Sequence, residues 1–468
     1  MDSPYQQFYV FIVSKTWEAG THEAFHVIKS LYNKRKGLHA KDTGRHYMNQ
    51  WLEKARRKDE RDALAKYKEE FYLGDAVYYM DGNSLGLMSR RSEQSMLDVM
   101  ADWKNHGIDG WTRGERPWFY MSERIGAMMA DLVGAESQEV LATSSTTMNI
   151  HQTIRTLYRP TGERYRILVD DLNFPSDIYA VQSILEDYGY GDGMVKVPSD
   201  DGHLLATDRI IDMMDESIAL ILLPSVLYRS GQVLEMEKLT RKAHEKGIVI
   251  GFDLCHSIGS VPHQLKAWDV DFAVWCTYKH LNGGPGSVAG LYVNEKHHHH
   301  PVSLKGWFGN NKETQFDMKH TFDQASDISQ YQVGTPHIFS MAPLLGALEM
   351  FDEAGIENIR QKSLELTDFM IGMIEDVLKD HDIDIVTPKS HDARGGHILI
   401  GHPQAAGINA ALKSKGVIPD FRAPSYVRIA PVALYNSFED VHHTVMILKE
   451  IMDDRLYEQF DNKRGVIA

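Results

Sequence analysis

A carboxylate and an amine are the residues most able to do chemistry in this chain. Asp253 closes the apolar run Gly247-Ile248-Val249-Ile250-Gly251-Phe252, and Lys279 lies downstream in Trp275-Cys276-Thr277-Tyr278-Lys279-His280-Leu281-Asn282. A lysine amine condenses with an aldehyde, and a buried aspartate is a suitable partner for a pyridinium nitrogen. Together they suggest pyridoxal phosphate (PLP). The loop Gly283-Gly284-Pro285-Gly286 would let a Schiff-base lysine approach that cofactor closely. Taken singly, each residue has a plainer reading: an aspartate after a strand often caps the next helix, and most lysines are solvated surface charges.

A phosphate requires clustered donors with little bulk. The segment Ala142-Thr143-Ser144-Ser145-Thr146-Thr147-Met148-Asn149 follows apolar Val140-Leu141 and precedes a helical pattern predicted to begin near Ile150. Its hydroxyls and amides would then sit at a helix N-terminus, where an anion is stabilised. A capping cluster with no ligand fits the same residues. In Asn173-Phe174-Pro175-Ser176-Asp177, the Phe174 ring can stack on a flat heteroaromatic cofactor, although such a phenylalanine is usually core. Arg428, flanked by Val427 and Ile429, suits either a bidentate carboxylate ligand or a structural ion pair. His256 is either a satisfied core histidine or a neighbour of the cofactor.

To converge, these residues need a sheet edge. Apolar strands are predicted at Tyr165–Asp170, Ile218–Leu223 and Gly247–Asp253, alternating with amphipathic helices, which is the pattern of a parallel sheet covered on both faces. A long helical stretch follows from about Phe339 to Lys379, then strands at Gly396–Ile400 and Tyr426–Ala430. The fold class is therefore α/β: a large domain with a mainly parallel sheet flanked by helices, plus a small α+β C-terminal domain. Residues 1–58 read as an N-terminal extension of unreadable role, 59–345 as the large PLP-binding domain, with 59–80 able to pack against the small domain, and 346–468 as the small domain.

Composition fits that picture. The chain has 468 residues, 43% hydrophobic and 25% charged, with a formal net charge of -15. That balance disfavours nucleic acid and anionic lipid and leaves small molecules as ligands. Cys255 and Cys276 are the only cysteines, so no disulfide framework is expected and the cytoplasm is the default compartment. The apolar stretch Phe8–Val13 is too short to span a bilayer. The run His297–His300 reads as a solvated loop rather than a metal site, because metal ligands are usually spread over rigid elements.

The chain resembles the kynureninase family of fold type I PLP enzymes from about residue 59 to about residue 454. The resemblance is carried by Asp81-Gly82-Asn83-Ser84-Leu85-Gly86, Arg116-Pro117-Trp118, Phe174-Pro175-Ser176-Asp177 and Gly251-Phe252-Asp253-Leu254-Cys255-His256. Further on come Tyr278-Lys279-His280-Leu281-Asn282, Gly306-Trp307-Phe308-Gly309 and Arg428-Ile429-Ala430-Pro431-Val432. Any one of these could arise by chance; in this order they are hard to explain otherwise.

The resemblance implies hydrolysis of L-kynurenine to anthranilate and L-alanine, with 3-hydroxykynurenine a secondary substrate. By similarity Lys279 carries the cofactor, Asp253 pairs with its ring nitrogen, and Phe174 stacks on it. Ser176, Asp177 and His256 belong to the same shell, Thr146 and Thr147 face the phosphate, and Tyr278 touches it. Adjacency to Lys279 makes Tyr278 a candidate acid. Asn83 and Arg428 would bind substrate, Arg428 through the α-carboxylate. Trp307 and Thr335 match cofactor-pocket positions that the family draws from a neighbouring subunit, which implies a homodimer. Family members favouring 3-hydroxykynurenine resemble one another in carrying His and Asn in the aryl pocket. Here Trp111 and Thr335 stand at those positions, which suggests the non-hydroxylated substrate. Two other readings stay open: another reaction on the same fold, such as a cysteine desulfurase or an aminotransferase, and a non-catalytic binding module. Neither cysteine looks like a mobile nucleophile, and Lys279 is present.

Overall fold

Strands form where β-branched and apolar residues run together, and they gather into one large sheet. The computed structural model describes residues 42–463. A short strand, β1 (Tyr78–Tyr79), lies apart from that sheet. β2 (Val140–Ala142), β3 (Arg166–Asp170), β4 (Met194–Val197), β5 (Ile218–Pro224), β6 (Val249–Asp253), β7 (Phe272–Trp275) and β8 (Gly290–Val293) form it, in the order β2-β8-β7-β6-β5-β3-β4. Only β8 is reversed: it pairs antiparallel with β2 and β7, while β7, β6, β5, β3 and β4 pair in parallel.

Period-two alternation feeds two cores. Ile221 and Leu223 of β5 join one apolar cluster with the helices Met121–Val133 and Ile338–Ala354. Leu220 and Leu222 join the other, with the helices Thr146–Leu157 and Pro175–Asp187. Every residue of β5 is buried, as expected of a parallel strand covered on both faces.

The C-terminal part builds a second, smaller sheet. β9 (Asp384–Ile385), β10 (Ile398–Gly401), β12 (Asp420–Arg422) and β13 (Tyr426–Ile429) pair antiparallel in the order β12-β13-β10-β9. The helices Ile356–Val377, Ala405–Ser414 and Phe438–Asp453 accompany it. This is the large sheet plus small α+β unit expected. The chain before β2 reaches this region: β1 pairs in parallel with β11 (Val417–Ile418), and buried Lys362 pairs with Asp62 at 2.7 Å. The Asp59 carboxylate accepts from the amides of Phe438 and Glu439, capping that helix.

Several boundaries differ from the sequence reading. The stretch from Phe339 to Lys379 is two helices, Ile338–Ala354 and Ile356–Val377, separated by Gly355 at φ +75°. The helix predicted near Ile150 starts at Thr146, with Ser145 as its N-cap. Trp111, for which no element is predicted, ends a 3-10 turn, Gly107–Trp111. The histidine run is not simply a solvated loop. His297 donates toward Asp271 at 2.8 Å and His298 is buried against the Val293 carbonyl, because the segment folds back over the edge where β7 begins. No metal-binding cluster occurs among the described residues. The stretch Phe8–Val13 and most of the N-terminal extension lie outside the described residues, within which the helix Asp42–Asp59 opens the chain. No helix among the described residues is long and apolar enough to cross a membrane.

Candidate active site

Because β3, β5, β6 and β7 point the same way, the segments leaving their C-terminal ends share one edge of the sheet. Ligands of open α/β folds bind at that edge. There the structure holds a cavity of about 320 Å³, and Thr146, Thr147, Phe174, Ser176, Asp177, Asp253, His256, Tyr278 and Lys279 all line it. Residues scattered over more than a hundred positions are thus brought together by strand order alone.

Lys279 sits in a tight turn after β7, where Asn282 N donates to its carbonyl at 2.9 Å. Gly86 N donates to Tyr278 O at 2.7 Å, and a Cβ at Gly86 would lie 2.4 Å from the Lys279 carbonyl. Only glycine allows that approach, which fixes the lysine turn against the motif at Asp81–Gly86. The Lys279 amine lies 2.9 Å from His256 Nε2. Burial first, then the charges of Lys279 and Arg428, push His256 well below the usual histidine range. The imidazole is therefore neutral and Nε2 accepts, which leaves Nδ1 protonated and without a partner.

The carboxylates divide the labour. Asp253 ends β6 and accepts from Cys255 N through Oδ1 at 2.6 Å. Asp177, in the first turn of the helix Pro175–Asp187, is fully buried; no N–H or O–H donates to either of its oxygens, and its own carboxyl proton has the Asp253 carboxylate as acceptor. Burial first, then the adjacent Asp253 carboxylate, raise Asp177 well above the ordinary aspartate range. A pair of buried carboxyls with so few donors, set in the wall of a cavity, offers a cationic ligand group its partner. Phe174 is not core: it is 42% exposed at the cavity, with the Lys279 amine 5.9 Å from its ring. Thr146 and Thr147 open a helix whose first-turn amides have no carbonyl within the helix to meet. A cationic ring nitrogen, a flat ring, an aldehyde and a phosphate thus each find a matching group here, and the residues fit PLP.

Arg428 has a more constrained setting. It is fully buried; Nη2 donates to Asp420 Oδ2 at 2.5 Å and to Ser84 Oγ at 2.8 Å, and Nη1 donates to the Tyr228 carbonyl at 2.5 Å. With its amide turned to satisfy both neighbours, Asn83 accepts from Arg428 Nε at 2.9 Å and donates to Asp81 at 3.2 Å. The ion-pair reading of Arg428 is therefore realised in this state. Burial, reinforced by Asp420, pushes the Asp81 carboxyl up to about 6.

Trp111, Trp307 and Thr335 do not line this cavity within one chain, and neither do the buried Asn83 and Arg428. Trp111 packs on Trp118 and Phe308, Trp307 packs edge-on to Phe308 and is 45% exposed, and Thr335 lines a separate cavity with Ser144 and Met148. Sequence reasoning missed Tyr228, whose ring meets Phe174 edge-on at 5.4 Å, and Asp420, the anchor of Arg428. Tyr228 could have been found, since it follows β5 toward the same sheet edge as Asp253. Asp420 faces Arg428 only through strand pairing, which leaves no local signal.

Comparison with known proteins places this geometry. A family model described as the kynureninase C-terminal domain matches residues 359–448. The kynureninase of Shouchella clausii is 56% identical over 418 residues, covering 89% of this chain and 98% of the relative. That of Geobacillus thermodenitrificans is 54% identical over 419 residues, covering 89% and 98%. In fold the chain is similar to a cysteine desulfurase from Thermococcus onnurineus, with a TM-score of 0.72 at 17% identity, over 83% of this chain and 98% of that one. It is also similar to a C-DES mutant with glycine linked to its PLP cofactor, with a TM-score of 0.70 at 17% identity, over 82% and 99%. The desulfurase likeness speaks to the fold alone, whereas the full-length relatives at more than half identity decide the lineage: the chain belongs to the kynureninase family.

Proposed function

We propose that this protein is a PLP-dependent hydrolase that converts L-kynurenine to anthranilate and L-alanine in tryptophan catabolism, with 3-hydroxykynurenine a secondary substrate. The observation that carries the reading is one cavity lined together by Lys279, Asp253, Asp177, Phe174 and the helix start at Thr146.

Bound there, the cofactor supplies an electron sink for charge developing at the substrate Cα. Asp253 holds the ring nitrogen in its cationic form, since an adjacent anion favours the charged state. Thr146 and Thr147 hold the phosphate, Phe174 covers one ring face, and Ser176, Asp177 and His256 complete the enclosure. Lys279 moves the proton at Cα, with neutral His256 beside its amine as acceptor. Tyr278 keeps its proton, because the charge of Cys276 and then burial raise it, and it acts as the acid at the product carbon. Arg428 holds the α-carboxylate with Asn83, and its contacts with Ser84 and the Tyr228 carbonyl yield when substrate enters.

The working unit is a cytoplasmic homodimer, in which Trp307 and Thr335 of each chain complete the cofactor pocket of the other. Support comes from the exposed apolar residues around Trp307, namely Phe316 and Met318, a kind of surface that usually marks an interface. Trp111, which packs on Phe308 next to Trp307, joins the aryl pocket only in the dimer, where it adds an apolar wall and favours the non-hydroxylated substrate. Residues 59–345 form the cofactor domain and 346–468 the small domain.

The test is incubation of PLP-loaded protein with L-kynurenine, following anthranilate fluorescence beside a Lys279→Ala control. Anthranilate from the intact protein alone is the expected result. A change in cofactor absorbance without anthranilate would move the assignment to another PLP reaction.

A further inference from the structure

Two thiols that the reaction does not use lie beside the cavity. Cys255 and Cys276 are the only cysteines of the sequence, and both are free and buried. β6 and β7 pair in parallel with Asp253 opposite Val274. Cys255 and Cys276 each stand two residues further on, so they share a register position just past the strand ends. Adjacent strands lie about 4.8 Å apart, within the roughly 4.4–6.8 Å between Cα atoms that a disulfide spans. The two segments stay together past the last pair: Leu254 N donates to Val274 O at 2.8 Å, and Cys276 N donates to Cys255 Sγ at 3.2 Å.

One of the two, Cys255, opens onto the cavity, and Cys276 lies behind it. The Cys255 sulfur lies 3.9 Å from Thr146 Oγ1. Burial opposes ionisation of Cys276, but its hydrogen bond with the Cys255 thiol and the charge of Lys279 outweigh it and pull Cys276 below the usual range. The proton left on Cys255 is held by that same hydrogen bond and by burial.

We propose that Cys255 and Cys276 are an oxidation site for small hydroperoxides, closing reversibly to an intramolecular disulfide that lowers turnover. One thiolate attacks a peroxide oxygen: the S–O bond forms, the O–O bond breaks, and the departing oxygen takes a proton and leaves as water or alcohol. The second thiol then loses its proton and attacks the sulfenic sulfur: the S–S bond forms, the S–O bond breaks, and water leaves. Two electrons pass from the sulfurs to the peroxide, and a dithiol reductant reverses the change. The bond would tie the segment leading to Lys279 against the segment holding Asp253 and His256, whose relative placement the site depends on.

The turnover effect rests on the kynureninase reading, whereas the disulfide does not. Cofactor-loaded protein is treated with hydrogen peroxide, free thiols are alkylated under denaturing conditions, and intact mass and kynurenine turnover are measured before and after dithiothreitol. The expected result is a monomer lacking two hydrogens and resistant to alkylation, with turnover down roughly fivefold or more and restored by reductant. Cys276→Ser and Cys255→Ala, each compared with its own untreated sample, should lose the reversible component. Inactivation with both thiols still alkylated, an irreversible gain of oxygen instead of a disulfide, or a disulfide that leaves turnover unchanged would each overturn the proposal. A disulfide in protein that never forms anthranilate would uphold the thiol chemistry and sink the functional reading instead.

Discussion

The two edges of the large sheet hold buried carboxylates in opposite circumstances. Where β7 begins, Asp271 accepts from Ile250 N at 2.8 Å, lies 2.9 Å from His244 Nε2 and 2.8 Å from His297 Nε2, and pairs with Lys296 at 2.9 Å. Burial alone would raise it, yet His244, His297 and Lys296 hold Asp271 well below the ordinary carboxylate range. At the other edge Asp177 has no N–H donor for either oxygen and is raised by burial and by Asp253. Asp170, which ends β3 nearby, is pushed up to about 7 by burial. One fold thus holds a fully paired ionic cluster at one edge and, at the other, a buried carboxyl without N–H donors in the candidate site. Of these two buried carboxyls, the one that lacks N–H donors is the one that lines the cavity.

Removing the amine at the unsatisfied edge should have the largest effect. Lys279→Ala should lower anthranilate formation by about 10³-fold or more while leaving the thermal midpoint near that of the parent, since the amine acts on the reacting atoms and not on the core. Breaking the satisfied edge should do the reverse. Asp271→Ala should cost roughly 2–4 kcal/mol in urea unfolding, because it strips His244, His297 and Lys296 of their shared partner, with turnover retained at low temperature. A fully stable Asp271→Ala would dissolve the contrast.

Arg428→Lys keeps the charge but not the fork, and KM for L-kynurenine should rise roughly 10- to 100-fold with a smaller change in kcat. An unchanged KM would leave Arg428 as a structural partner of Asp420 only.

The pH dependence of stability should have opposite signs at the two edges. Asp271 is depressed, so its contribution is present above the unfolded value of about 4 and is lost as pH falls through its lower folded value. Asp170 is raised: the folded chain keeps its proton up to about 7 while the unfolded chain releases it near pH 4, so stability declines as pH rises across that window. Asp170→Asn should flatten that decline, by roughly 1–3 kcal/mol between about pH 5 and pH 8 in urea midpoints. The smallest expected change is Trp111→His, which should raise the specificity constant for 3-hydroxykynurenine relative to L-kynurenine by about threefold to tenfold.

Much of the unsatisfied edge was legible beforehand because its residues end strands or open helices. Asp253, Phe174, Thr146 and Lys279 each sit beside a local signal: a terminating apolar run, a proline turn, a hydroxyl cluster or a glycine loop. The satisfied edge was nearly invisible. His297 looked like a solvated repeat because nothing near it in sequence announces Asp271, and Asp420 gave no hint that it would anchor Arg428 across a strand pair. The break at Gly355 was missed because the helical pattern resumes immediately after it.

The sequence by itself determined the chemistry available, a lysine amine with a strand-end carboxylate, and the α/β pattern that had to carry it, since periodicity and residue type are local properties. Only the tertiary structure decided which carboxylates are paired, that Arg428 is held by Asp420, and that Trp111, Trp307 and Thr335 do not line their own chain's cavity. Those outcomes depend on strand order and register, which bring distant residues together and cannot be summed from local preferences.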